Sequence, residues 1–200
     1  MTTELITGKA GTPHVSSDDI GVMQAGIIGY DTYLLKNNDG TYPAITLKDS
    51  NHATIPVMQL IVEGRYVRVT SAETATIDSG VSGQKRNDLI CLKYTRDTSN
   101  IETASIVVLK GTNTTGTPTD PTVPAGSIIN ASATAYARLA RVSINGITPA
   151  TPIMLTTQLT GMGDSQTRVS AKLDKSNVEA LHFRSVKCSP LGAYAFDWEN

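Results

Sequence analysis

The apolar positions of this chain fall into short runs, many at period two, broken every few residues by Gly, Pro, Asn and Asp. That pattern predicts β-strands joined by turns rather than long helices. Residues 57–62 and 65–69 are two β-branched runs separated by Glu63-Gly64, a two-residue hairpin signal. In the second run Val67 and Val69 share one face while Tyr66 and Arg68 share the other, so a half-buried strand is expected. Residues 88–95 and 104–110 are apolar on both faces in their middles (Leu89, Ile90, Cys91, Leu92; Ile106, Val107, Val108, Leu109). They predict a core hairpin of two central strands, each covered on both sides. Residues 31–36 and 44–48 read as strands joined by the turn cluster Asn37-Asn38-Asp39-Gly40. Strand character returns over 127–131 and 136–144, the latter closed by Asn145-Gly146, and again over 152–159.

Three stretches depart from this rhythm. In residues 1–30, Ser16-Ser17-Asp18-Asp19 suits a helix start, because hydroxyl and carboxylate oxygens meet free backbone N–H groups there. Gly21 and Gly26 keep the expected helix short or weak. Residues 111–126 hold three prolines and almost nothing that could pack, so they predict a long surface loop: either a mobile or crossover segment, or an arm that docks on a neighbouring subunit. After residue 149 the pattern weakens, with a turn or two of helix expected at 176–183. At the end Tyr194, Phe196 and Trp198 occupy alternate positions, which on a strand share one face. The expected architecture is mainly β, an antiparallel sandwich or barrel-like domain with an irregular N-terminal arm containing a short helix and an extended C-terminal segment. Its divisions are an attachment arm at 1–30, a β domain at 31–148 and a C-terminal segment at 149–200, either docked on a partner or a small appendage. No internal repeat and no sustained heptad pattern is present.

Charge narrows the function. Lys+Arg 17 against Asp+Glu 18 leaves a net charge of -1, which argues against a nucleic-acid binder that works by neutralising phosphates. The start of the chain lacks the basic and apolar regions of a signal peptide, and no apolar run approaches the ~20 residues of a membrane span. Cys91 sits in an apolar run and reads as a buried core residue. Cys188 lies in a polar stretch, so no disulfide framework is expected and synthesis in a reducing cytoplasm is consistent with both.

The search for chemistry returns no catalytic set. His14, His52 and His182 are far apart and lack a second ligand at metal spacing, so no metal or other cofactor is expected. Asp18 and Asp19 are adjacent, which suits a helix cap better than an acid/base pair. The chain is therefore not expected to be an enzyme. The unusual segment is Gly80-Val-Ser-Gly-Gln-Lys-Arg-Asn-Asp-Leu-Ile, where a turn at Gly83 delivers Arg86 and Asp88 to one face at the entrance of the most apolar strand. An ion pair between them would pin the turn and fix register.

Several stretches, in order, carry a resemblance. They are Ile6-Thr-Gly-Lys-Ala-Gly-Thr-Pro-His-Val-Ser, the helix-like residues 18–29, Val62-Glu-Gly-Arg-Tyr-Val-Arg-Val, Gly83-Gln-Lys-Arg-Asn-Asp-Leu-Ile, Val107-Val-Leu-Lys-Gly-Thr and Leu139-Ala-Arg-Val-Ser-Ile-Asn-Gly-Ile. Spanning roughly residues 5–148, they resemble small bacteriophage and prophage tail proteins of Gram-positive hosts, from the baseplate or tail-fibre region. The resemblance implies a virion protein made in the bacterial cytoplasm, with an N-terminal part that attaches to the tail and a β domain built into a symmetric assembly. The partners implied are other tail proteins and further copies of the chain, as a trimer or hexamer. It implies no catalytic residue. An adaptor between tail tip and receptor-binding protein is one expectation. The alternative is a carbohydrate-binding module that stacks host cell-wall glycan on Tyr194, Phe196 and Trp198.

Overall fold

The computed structural model describes residues 6–7 and 15–172. The chain divides into two compact units, 1–159 and 160–200. The first is mainly β, with an N-terminal helix α1 (Ser17–Ile28). Its strands are β1 (Thr32–Leu34), β2 (Thr46–Asp49), β3 (His52–Ile55), β4 (Met58–Val62), β5 (Arg65–Val69), β6 (Glu73–Thr76), β7 (Lys85–Arg96), β8 (Glu102–Leu109), β9 (Thr134–Asn145), β10 (Thr148–Pro149), β11 (Ile153–Met154) and β12 (Thr157–Gln158). The second unit contributes α2 (Met162–Lys172), none of whose side chains is buried.

Three sheets enclose one core. Their orders are β12-β1-β4-β5, β2-β3-β6 and β10-β9-β7-β8, with β11 also on β9. Among the described residues every strand pairing is antiparallel except β1 with β12. Leu34, Ile55, Met58 and Leu60 from the smaller sheets meet Ile90, Leu92, Leu139 and Val142 from the large one. Each fully buried side chain of this kind stabilises the fold by about 1.5–3 kcal/mol relative to exposure.

The hairpin of β4 and β5 forms at Glu63-Gly64, with Val62 opposite Arg65. Both turn residues have positive φ, 45° and 79°, the backbone that matches the twist of a two-residue hairpin. On β5 Tyr66 and Arg68 are exposed and Val69 is buried, as the alternation predicts. The turn at 37–41 also closes, with Gly40 N–H donating to Asn37 O at 2.9 Å. It does not join paired strands, however. β1 pairs with β4, and β2 with β3, because the buried Leu34 and the Thr46–Thr54 ladder find partners in different sheets.

β7 is the central strand, buried along most of its length. Its neighbour β8 differs from expectation: none of its residues is fully buried, because it is paired on one side only and forms the sheet edge. β9 takes the other side of β7, with a register shift between Ile90 and Cys91 that leaves Leu139 as the extra residue. The chain must therefore pass from one flank of β7 to the other, and residues 111–126 are that crossover. Residues 127–131, expected as a strand, form a turn held by Ala131 N–H to Ile128 O and Ser132 N–H to Ser127 O.

The end of the first unit also differs from the expected division after residue 148. β10 and β11 pair with β9, and β12 pairs with β1. Residues 148–158 thus supply edge strands to two sheets. The expected helix at 176–183 lies outside the described residues.

Candidate interaction surface

The capping chemistry at 16–19 builds α1 as the residue types predict. Ser16 Oγ accepts from Asp19 N–H at 3.1 Å, and Ser16 N–H donates to Asp19 Oδ2 at 2.8 Å, a reciprocal capping box. With both ends of the motif satisfied, the helix runs 12 residues despite Gly21 and Gly26. Gly21 and Ala25 face the β domain. Their smallness lets the β4–β5 turn approach so closely that a Cβ on Gly64 would lie 1.9 Å from Gly21 O. The large apolar residues point the other way: Ile20 is 39% exposed, Met23 47% and Ile27 73%, with Tyr30 just beyond at 63%. This helix buries its small side chains and shows its large ones.

Arg65 locks α1 to the sheets. Its guanidinium donates to Ser17 O and Asp18 Oδ1, and through Nη2 to Glu102 Oε1 at 2.9 Å. Glu102 also accepts from Tyr94 Oη at 2.5 Å and from Ser17 Oγ at 3.1 Å. Burial, with the Glu102 hydrogen bond next, pushes the Tyr94 phenol up to about 12. Beside this cluster runs an open groove of about 430 Å³ lined by Val15, Ile20, Gln24, Arg65, Tyr66 and Glu102, among others. Gln24 Oε1 and Arg65 Nε are buried there without a hydrogen-bond partner. Residues 18, 65, 94 and 102 are distant in sequence, and nothing in the local pattern marks them as a set.

Arg86 and Asp88 meet at the entrance of β7, each 1% exposed. Arg86 Nε donates to both carboxylate oxygens, at 3.0 and 3.2 Å. Its other nitrogens donate to Ser79 O at 3.0 Å and to Asp78 O, while Asp88 accepts Gly111 N–H at 2.9 Å. The pair therefore ties the turn before β7, the strand itself and the start of the crossover. Gly83 sits at the third position of the turn closed by Gln84 N–H to Val81 O, with φ 74° and open space around it. All contacts are internal and leave no open coordination for a ligand.

The crossover is pinned to its own domain. Thr114 exchanges both backbone hydrogen bonds with Lys85, at 2.7 and 2.8 Å. Asp120 accepts from Arg141 Nε at 2.5 Å and from Asn87 Nδ2 at 3.0 Å, and Ser143 Oγ donates to Asn87 Oδ1 at 2.9 Å. The hydrogen bond from Arg141, followed by that from Asn87 against the cost of burial, holds the Asp120 carboxyl below its usual range. Leu89 and Cys91 alternate with Asn87 on this face and are 0% exposed, and the crossover is bonded over the Asn87 end of that face. Burial pushes the Cys91 thiol up to about 11, as expected of a core cysteine.

Among the described residues no group of three or more His, Cys, Asp and Glu side chains is arranged to hold a metal ion. His52 Nδ1 instead faces Asp49, 2.8 Å from Oδ1 and 2.9 Å from Oδ2. His14, His182, Cys188, Tyr194, Phe196 and Trp198 lie outside the described residues. No helix among the described residues is long and apolar enough to cross a membrane.

Fold and surface together define a mainly β domain carrying one outward-facing apolar helix. No family model matches the chain, and no curated protein matches it in sequence.

Proposed function

We propose that this protein is a non-catalytic structural component of a bacteriophage tail, in the baseplate or tail tip, that assembles with other tail proteins. The observation that carries the reading is the outward apolar face of α1. A helix that turns Ile20, Met23 and Ile27 to solvent is built to be covered by another surface. The helix falls within the residues whose order resembles phage tail proteins, which is what directs the reading to a tail. The polar clusters at Arg65, Arg86 and Asp120 bond chiefly within the domain and serve its rigidity. The alternative glycan-binding reading rests on Tyr194, Phe196 and Trp198, and its support is confined to the sequence.

The test is to purify phage particles from a host carrying this gene and probe them with antibody against the chain. The expected result is a protein that co-purifies with tails and labels one end of the tail in electron micrographs. A chain that is abundant in the lysate but absent from washed particles refutes the assignment.

A further inference from the structure

We infer that the outer edge of β8 is an acceptor site for an extended segment of another protein, which pairs with it as one added strand and closes the gap between β8 and β5. The inference rests on the assembly reading above and names the surface and the form of the partner. Three observations carry it. First, the edge has unused backbone groups whose direction is fixed by the ladder behind them. Asp97 N–H donates to Ile101 O, so these two form a hydrogen-bonded pair at the mouth of the β7–β8 hairpin. Opposed residues of an antiparallel ladder alternate between bonded and unbonded pairs. With Thr95 opposite Thr103 and Lys93 opposite Ser105, the odd-numbered residues of β8 therefore bond to β7. The even-numbered Arg96 accordingly turns its N–H the other way, to Ala133 O. The N–H and C=O groups of Ala104 and Ile106 point away from β7, where no strand of the described residues pairs with them.

Second, the wall of the domain is incomplete beside that edge. β5 ends one sheet and β8 ends another. Both line one open groove of about 200 Å³, with Val67, Val69, Leu92, Ala104 and Ile106 among its walls. Val67, Ile106 and Val108 pack against the core yet stay only partly buried. Their neighbours on β7, Ile90 and Leu92, are 0% and 3% exposed. The core-facing side chains beside the gap are thus the ones that lack a full cover. An added strand would set alternate apolar side chains over them and turn its polar ones outward.

Third, the edge is unguarded, and its open groups specify what fits. From Thr103 to Leu109 there is no charge and no proline, and the pairing with β7 has no bulge. Those are the devices that keep exposed edges from pairing. Glu102, at the start of the strand, is already bonded to Arg65, Tyr94 and Ser17. What remains open is a row of backbone donors and acceptors at strand spacing, and its complement is another extended backbone. Residues of β5 and Thr70, Ser71 and Glu73 form the opposite wall of the groove, so the edge is recessed. A single free segment enters such a groove, whereas the edge strand of a second folded copy brings its own sheet and is held off.

The experiment follows amide hydrogen exchange, residue by residue, in the full chain. It is run on the chain alone, on the chain with synthetic nine-residue peptides that alternate valine or isoleucine with threonine, and on purified tails. In the chain alone, Ala104 and Ile106 should exchange at least ~100-fold faster than Ser105 and Val107, whose N–H groups bond to β7. In tails, and with a saturating peptide, Ala104 and Ile106 should slow at least ~10-fold. Ala104→Pro removes one outward N–H and leaves the β7 ladder intact, as an edge position allows. It should abolish the slowing at Ile106 while Val107 stays protected. Slow exchange at Ala104 and Ile106 in the chain alone overturns the inference, because the chain then covers its own edge. Protection that rises with chain concentration overturns it in favour of a second copy. Unchanged exchange at both residues in tails that contain the chain overturns it and leaves the tail assignment standing. A chain absent from tails removes the tail assignment alone; the peptides then decide, and a set in which none slows Ala104 and Ile106 overturns the inference as well.

Discussion

Replacing Asp88 by Ala removes one half of an ion pair in which both members are 1% exposed. Arg86 would then keep its charge, its burial and its bonds to Ser79 O and Asp78 O, but lose the carboxylate that balances it. Breaking one side of a buried pair costs about 3–5 kcal/mol, against a total domain stability of about 5–15 kcal/mol. With a urea m-value of ~2 kcal/mol/M, the unfolding midpoint should fall by about 1.5–2.5 M. Far-UV circular dichroism is the suitable probe, since the sole tryptophan, Trp198, lies outside the described residues. A second variant sharpens the reasoning. Replacing a buried pair by apolar residues is often neutral or stabilising, yet Arg86→Met/Asp88→Leu should not recover here. It leaves the partly buried Gly111 N–H without its acceptor, at about 1–3 kcal/mol, and removes the guanidinium that ties the Asp78 and Ser79 carbonyls to β7. A loss below ~1 kcal/mol in Asp88→Ala, or a double variant as stable as wild type, would refute the view that this pair ties three segments together.

Two further outcomes follow from the crossover. In a Cys188→Ser background, Cys91 should resist thiol reagents at pH 8, being buried with its pKa raised to about 11. Asp120→Ala should loosen the crossover and speed labelling of Cys91 at least several-fold while far-UV dichroism stays native; unchanged protection would show that other contacts hold the cover. The Asp120 carboxyl also sets a pH dependence. Because its folded pKa is depressed, its stabilising contribution is present above the unfolded value of about 3.9 and is lost as pH falls through the lower folded value. Acid titration of stability should therefore show a shallower decline below pH 4 in Asp120→Asn than in wild type, and identical slopes would count against this group.

Sequence by itself determined the local structure. The Glu63-Gly64 hairpin, the alternation on β5, the capped start of α1 and the two-sided apolar character of β7 each depend on residues within a few positions of one another. The proximity of Arg86 and Asp88 was legible for the same reason, since alternate residues of a strand share a face. What only the tertiary structure decided is which surface covers which. The pattern of 104–110 matches a central strand as well as an edge strand, and its place at the edge follows from β9 taking the other flank of β7. That choice obliges residues 111–126 to cross the sheet, where Asp120 finds Arg141, 21 residues away. Strand character over 152–159 was legible, but its division into two-residue strands on different sheets, with β10 before them, was decided by the open edges of β9 and β1. The Arg65 cluster likewise joins residues up to 85 positions apart. Most telling is α1, which is apolar nearly all round, so its sequence alone could not say which side faces inward. The close approach of the β4–β5 turn selected the small residues Gly21 and Ala25 for the inside, and thereby left Ile20, Met23 and Ile27 to face out.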